Sequence, residues 1–131
     1  MGLDNGIRIE NIKRSQLPHF IHYPFKTIDS NDVEICYWRK CWNIRESIFD
    51  VISKSTNDNE YKYYLTLDNI IAIRKELIWW FLHPHEWEHS RTIWTYSEIR
   101  RNLLISIWNL GLISNWMHYH PDIKIYFYDS Y

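Results

Sequence analysis

The segment HPHEWEH (83–89) contains the residue types that bind and activate zinc. His85 and His89 stand four residues apart with Glu86 between them, which formally satisfies the pattern H-E-x-x-H. In that pattern the two histidines share a helix face and hold the metal, while the glutamate acts as general base. His120, in HYHPD, is a candidate third ligand. The spacing therefore raises metal-dependent hydrolysis as one hypothesis.

The surroundings of this segment favour a polar loop or a frayed helix end over a metal site. Pro84 stands just upstream of the motif and Ser90 closes it, so a helix there would be too short to hold its ligands rigidly. Histidines near the C-terminus of a helix are favoured by the helix dipole without any ligand role. We therefore predict no bound metal and no cofactor, and we assign no catalytic residue.

Two other segments combine flat rings with cations at the start of a predicted helix. They are CYWRKCWNIR (36–45) and RTIWTYSEIRR (91–101), and the last predicted strand adds further tyrosines. Rings can stack on a base, arginine can fork onto a phosphate, and a helix N-terminus favours anions. The predicted ligand-binding residues are Tyr37, Trp38, Arg39, Trp42, Arg45, Trp94, Tyr96, Arg100 and Tyr128.

A structural interpretation of the same residues stays open. Tryptophan and tyrosine on strands are commonly core residues or cross-strand pairs. Arginine beside tryptophan is often only a surface cation–π contact. The types and spacing alone do not separate these roles from ligand binding.

The spacing of apolar and turn residues predicts alternating strands and helices. Strands are expected at 6–12, 33–40, 61–66 and 123–130, with Val33, Ile35, Tyr37 and Arg39 on one side of the second strand. Helices are expected after Asn43, after Thr66 or Asp68 as far as Pro84, and from Thr95 to about His118. This order favours an α+β fold, with a mixed or antiparallel sheet of about four strands and three helices mainly on one face.

Composition bounds the class of protein. At 131 residues the chain is long enough for one domain (1–131) whose core needs no disulfide or metal. The net charge of −1 disfavours a nonspecific nucleic-acid binder, which needs a basic excess. Cys36 and Cys41 lack metal-ligand spacing and are expected to stay reduced. With no apolar run long enough to cross a membrane, we expect a soluble, cytoplasmic protein without a membrane partner.

Several stretches together resemble a family of small bacteriophage-encoded proteins long described only as hypothetical. They are MGLDNGI (1–7), HYPF (22–25), EICYWRKCWNIR (34–45), IWTYSEIR (93–100) and FYDSY (127–131). HPHEWEH is not among these motifs, and the family has no activity that can be transferred residue by residue. The resemblance implies a counter-defence protein acting in the host cell cytoplasm.

Three hypotheses for function follow from these observations. The first is a binding protein that sequesters a small, anionic, nucleotide-derived immune signal through ring stacking and arginine–phosphate contacts. The second is a protein-directed inhibitor of a host defence complex, resembling an anti-CRISPR protein, in which the eight tryptophans serve as interface anchors. The third is a hydrolase of a nucleotide signal that uses HPHEWEH. A homo-oligomer that builds its pocket between subunits would suit the aromatic content.

Overall fold

The computed structural model describes residues 4–22, 31–39, 41–54, 61–89 and 96–130, without the side chains of residues 88, 89 and 96. The elements are β1 (Asp4–Ile9), β2 (Val33–Arg39), α1 (Trp42–Val51), β3 (Lys62–Leu65), α2 (Leu67–Leu82), α3 (Tyr96–Met117) and β4 (Ile125–Ser130). Two 3₁₀ turns lie at Arg14–Gln16 and Pro84–His89. All strand pairs are antiparallel, in the order β2-β1-β4-β3. The α+β prediction is confirmed.

The sheet buries one face against the helices. β1 and β4 form the central pair, with Ile7 opposite Phe127. Because side chains alternate along a strand, every second residue of these strands points to this face. Phe49 of α1 contacts the ring of Phe127 at 5.7 Å and that of Tyr63 in β3 at 5.1 Å between centroids. The hydrophobic core therefore lies between the sheet and the helix layer.

The helices form where apolar residues recur at helical spacing. Their buried positions are Ile44, Ile48 and Phe49 in α1, Ile70, Ile73 and Leu77 in α2, and Ile99, Leu103, Leu110 and Ile113 in α3. α2 begins as predicted, because the Thr66 hydroxyl accepts from the Asn69 N–H and the Asn69 side chain accepts from the Thr66 N–H. α1 begins one residue before the predicted cap Asn43, and the predicted cap Thr95 lies outside the described residues.

The predicted alternation along β2 is wrong beyond Ile35. β1 pairs Arg8 with Glu34 and then Ile7 with Cys36, so Ile35 is an extra residue, a β-bulge. A bulge exchanges the faces of all residues beyond it, which local alternation cannot anticipate. The side chains that share a face with Ile7 and Ile9 are those of Val33, Cys36 and Trp38. Glu34, Tyr37 and Arg39 belong to the second face of the sheet.

The outer edge of β2 is covered by α3. The side-chain amide of Asn109 donates to the carbonyl oxygen of Ile35 at 2.9 Å, and that of Asn102 donates to the carbonyl oxygen of Tyr37 at 3.0 Å. Asn109 also pairs with both backbone groups of His22. These contacts satisfy backbone groups that an edge strand otherwise leaves open. In the described ranges, no helix is both long and apolar enough to cross a membrane.

Candidate ligand-binding site

A cleft lies where α1 and α3 begin. It brings together the ends of the two ring-and-cation segments that the sequence analysis treated separately. Its lining residues are Cys41, Asn43, Ile44, Trp80, Trp87 and Ile99. The segment before α1, the start of α3 and the segment after α2 therefore share one surface, which we call the α1–α3 cleft.

Two tryptophans form a wall of the α1–α3 cleft and are held by their indole N–H groups. Trp80 donates to the Ser47 hydroxyl at 3.0 Å, which ties α2 to α1. Trp87 donates to the carbonyl oxygen of Trp80 at 2.8 Å and is almost fully buried. Sequence reasoning missed both residues. Trp80 lies at helical spacing from Ile73 and Leu77 and could have been found there. Trp87 could not, because the sequence of residues 83–89 favours a polar loop, where a buried tryptophan is not expected.

The segment around Trp87 is a 3₁₀ turn, Pro84–His89. A 3₁₀ backbone repeats every three residues, so this segment lacks the α-helical geometry on which an H-E-x-x-H site depends. His85 is exposed and lies 3.4 Å from the Glu86 carboxylate. His120 stacks on Trp116 at the end of α3, with its centroid 4.2 Å away. Within the part of the chain that the structure describes, no group of three or more His, Cys, Asp or Glu side chains could hold a metal.

Trp38, a predicted stacking residue, lies in the hydrophobic core. Only 1% of its surface is exposed, on the sheet face that packs against the helices. A ring buried on both faces cannot stack on a ligand. For Trp38 the structure therefore favours the core role that the sequence left open.

Arg45, a predicted phosphate ligand, is buried and paired with a carboxylate. Its Nε and Nη2 atoms each donate to Asp129 at 2.8 Å, in the bidentate geometry typical of arginine–carboxylate pairs. The Asn5 side-chain amide donates to the same carboxylate at 2.5 Å. The charge of Arg45 is therefore neutralised inside the protein, where it joins α1 to the central strands.

Tyr128, a predicted ring contact, belongs to a polar cluster on the second face of the sheet. Its hydroxyl donates to the Glu34 carboxylate, and the Arg8 guanidinium lies over its ring, 4.1 Å from the centroid. Burial and the neighbouring carboxylate raise the pKa of Tyr128, so the phenol remains a donor. Gly6, directly opposite Tyr128, leaves the space that this ring and Glu34 occupy.

Burial also governs the acidity of Glu34. It raises the pKa of Glu34 above its ordinary value, against the opposing effects of the Tyr128 hydroxyl and of Arg8. The Arg8 Nε lies 3.8 Å from the carboxylate, too far for a strong hydrogen bond. The cluster therefore holds its carboxylate in a poorly solvated position on the sheet.

Of the remaining predicted residues, Trp42 and Arg100 are next in sequence to residues that line the α1–α3 cleft. Tyr37 and Arg39 belong to the second face of the sheet. Arg39 is exposed two residues before Cys41, and Trp42, half-buried, opens α1. Arg100 is exposed next to Ile99, with its guanidinium 4.9 Å from the Phe81 ring centroid. The half-buried Tyr37 donates its hydroxyl to Asp4 at 2.9 Å. Trp94 and the side chain of Tyr96 lie outside the described residues.

The α1–α3 cleft is shallow and mainly apolar. Its cavity volume of about 10 Å³ leaves room for no more than one water molecule, so a larger ligand would rest on the cleft instead of entering it. The first turn of α1 contains no acidic residue, and the Cys41 side chain does not cap it. With an apolar lining and the N-terminus of α1 at one wall, the cleft suits an anion that carries an apolar or aromatic body.

Comparisons of the chain with protein-family models, with curated proteins and with solved structures find no match. A functional inference therefore rests on the residues of this chain and their geometry. The resemblance to small bacteriophage proteins stays a prediction.

Proposed function

We propose that the protein is a binding protein that captures a small, anionic, ring-bearing ligand of nucleotide type at the α1–α3 cleft. One observation carries this proposal. Segments far apart in the sequence, each combining rings with arginines, meet at one surface through Cys41 and Ile99. A ligand site formed by the starts of α1 and α3 requires these two segments to lie side by side, as they do here.

The charges around the cleft support an anionic ligand. Arg100 is exposed next to the lining residue Ile99 and does not belong to the buried Arg45–Asp129 pair. Arg39 is exposed two residues before the lining residue Cys41, with its side chain on the second face of the sheet. An exposed cation such as Arg100 can approach a phosphate without the large desolvation cost that a buried cation carries. The half-buried Trp42 stands between the lining residues Cys41 and Asn43 at the start of α1, and it is the ring that we expect to stack on the ligand.

The predicted phage context narrows the ligand class. A small phage protein that binds a nucleotide-type anion in the host cytoplasm would act by removing an immune signal before the host effector meets it. Sequestration needs affinity and protein concentration but no catalytic group, which agrees with a site made of rings and cations. The proposed biological role is therefore counter-defence.

The test is to incubate the purified protein with a panel of cyclic nucleotides and ADP-ribose-derived signals, filter it, and heat-denature the retained fraction. Mass spectrometry of both fractions then identifies what was bound. We expect one signal to disappear from the filtrate and to reappear intact on heating. A chemically converted signal would instead support the hydrolase hypothesis. Unchanged filtrates for the whole panel would contradict capture of these ligands.

A protein-directed inhibitor is the second candidate, and a specific observation favours it. Large apolar side chains are exposed on the two longest helices: 44% of Trp79, 65% of Leu82, 54% of Leu104 and 50% of Trp108. Exposed tryptophan and leucine of this kind can anchor a protein partner. Copurification of a host defence protein with the wild type, and its loss in Trp108→Ala, would support this candidate over ligand capture.

A further inference from the structure

The two edges of the sheet differ in whether their outward backbone groups have hydrogen-bond partners. At the β2 edge, Asn102 and Asn109 of α3 cover outward-facing carbonyl groups. At the β3 edge, the Asp129 N–H donates to the Tyr61 carbonyl oxygen at 3.1 Å, which sets the phase of the β3–β4 ladder. Because bonded pairs alternate in an antiparallel ladder, the backbone groups of Lys62 and Tyr64 point away from β4.

Lys62 and Tyr64, which carry the outward backbone groups of β3, are both exposed. In the described residues, no backbone hydrogen bond from another element reaches Lys62 or Tyr64. A groove of about 380 Å³ lies beside this edge, and its lining includes Lys54, Lys62 and Asn69. Tyr64 is 55% exposed and Tyr61 is 47% exposed, so flat apolar surface accompanies the unpaired backbone. An edge of this kind is a template for adding a strand.

The side chains along this edge have a definite chemical order. Lys62 stands at one end, with its ammonium 4.6 Å from the Tyr126 ring centroid and 3.7 Å from Glu10. Tyr64 stands at the other end and donates its hydroxyl to the same Glu10 oxygen at 2.6 Å. Lys124 lies 5.9 Å from the Tyr64 ring centroid. Lysine over tyrosine is thus a contact that this face already uses.

We propose that β3 pairs antiparallel with β3 of a second copy of the chain, centred on Tyr63. In this register Lys62 lies opposite Tyr64 of the second copy, and Tyr64 lies opposite Lys62. Each of these pairs exchanges both of its outward backbone hydrogen bonds. Two four-stranded sheets then join into one continuous sheet.

The positions of Lys62 and Tyr64 along β3 explain why we propose a second copy of the chain as the pairing strand. A lysine on an edge strand normally discourages pairing, because like charges meet when strands align. Centred on Tyr63, however, the lysine of each copy meets a tyrosine whose hydroxyl is bonded to a carboxylate. A foreign strand would have to supply both a matching cation and a matching ring. The chain supplies both through two-fold symmetry.

The first test measures the association of the full chain by sedimentation, for the wild type, Tyr64→Ala and Tyr64→Pro. Proline removes the outward N–H of residue 64 and leaves the N–H groups that face β4 untouched. We expect a wild-type dimer, weaker association in Tyr64→Ala, and a dissociation constant raised by at least about tenfold again in Tyr64→Pro. A monomeric wild type, or equal association of all three proteins, would overturn the proposal.

The second test reads the register and does not depend on the folding of the proline variant. Lys62→Cys and Tyr64→Cys are purified separately, mixed and oxidised. The proposed register places the two new thiols opposite each other, within disulfide reach, only in the mixed dimer. Identical residues of the two copies lie roughly 8 Å apart, which is beyond that reach. We expect cross-linking in the mixture alone, and equal cross-linking in either single variant would contradict the register.

Discussion

The buried carboxylate of Asp129 is the centre of a hydrogen-bonded cluster that includes Arg45 and Asn5. Two nitrogen atoms of Arg45 and the amide of Asn5 donate to it, and both partners lie far away in the sequence. A buried charge is stable only when an opposite charge and hydrogen-bond donors or acceptors replace its lost hydration. Arg45 therefore acts as the counter-ion of Asp129, and the pair joins the start of α1, at one wall of the candidate site, to β4.

Removing Arg45 is expected to destabilise the fold. Arg45→Ala leaves the Asp129 carboxylate buried without its cation, which costs about 3–5 kcal/mol in the free energy of unfolding. The measurement is urea denaturation followed by circular dichroism. Arg101→Ala, at an exposed position of α3, is the control and should stay within about 0.5 kcal/mol of the wild type. A similar small effect in both variants would mean that the pair contributes little.

Glu34 should make stability depend on pH in a definite direction. Its folded-state pKa is raised above the ordinary value of 4.5, mainly by burial, so the folded state retains the proton longer than the unfolded state. As pH rises from that value through the raised folded pKa, the unfolded state is favoured and stability falls. Glu34→Gln removes this effect, so its stability relative to the wild type should increase over the same pH range. A constant difference between the two proteins would contradict the raised pKa.

Gly6 is required by close contacts on both neighbouring strands. A Cβ at this position would lie 2.5 Å from the Cys36 carbonyl oxygen and 2.6 Å from both Glu34 and Tyr128. Gly6→Ala is therefore expected to lower the free energy of unfolding by about 1–3 kcal/mol, as other overpacked sites do. Gly111→Ala is the matched control, because its Cβ would meet only the flexible Arg74 side chain, at 3.1 Å, and alanine favours a helix. Equal losses in thermal denaturation would contradict a special role for Gly6.

At the scale of elements, the end of α2 shapes the junction of α1 and α3, because the segment that follows it supplies Trp87. α2 and α3 finish alike: His83 stacks on Trp79 with centroids 4.1 Å apart, and His120 stacks on Trp116 at 4.2 Å. In each case the histidine Nδ1 lies within hydrogen-bond distance of the carbonyl oxygen of that tryptophan. Each histidine thus packs on the last turn of its helix. After α2, the 3₁₀ turn Pro84–His89 places Trp87 in the cleft.

Ligand capture at this junction predicts which substitutions weaken binding. Trp42→Ala and Arg100→Ala should each cost about 1–3 kcal/mol of binding free energy, or about 5- to 150-fold in Kd, because a stacking ring or a phosphate contact is lost. Isothermal titration with the signal identified by mass spectrometry measures the change. The control Trp108→Ala removes an exposed tryptophan from the middle of α3 and should bind like the wild type. Unchanged affinity in both cleft variants would move the binding site elsewhere.

For the whole molecule, the topology explains why the most distinctive sequence motifs stand together. The central strand pair places Asn5 opposite Asp129 and Gly6 opposite Tyr128. Residues of MGLDNGI and FYDSY, two of the motifs on which the resemblance rests, therefore contact each other directly. A third motif supplies Glu34 and Arg45, which complete the polar clusters on the two faces of the sheet. These motif residues thus have structural roles that hold the sheet and α1 together.

The sequence by itself determined the kinds of element, because apolar periodicity and capping residues act over a few neighbouring positions. It located the helix that follows Thr66 and the α+β class, and it identified the two segments whose ends now line the α1–α3 cleft. Only the tertiary structure decided that Trp38 fills the core, that Arg45 neutralises Asp129 and that Ile35 is a bulge. The physical reason is that burial and charge pairing depend on contacts between distant positions, such as the 84 residues that separate Arg45 from Asp129. A local sequence pattern therefore does not predict which side chain a residue will contact across the sheet.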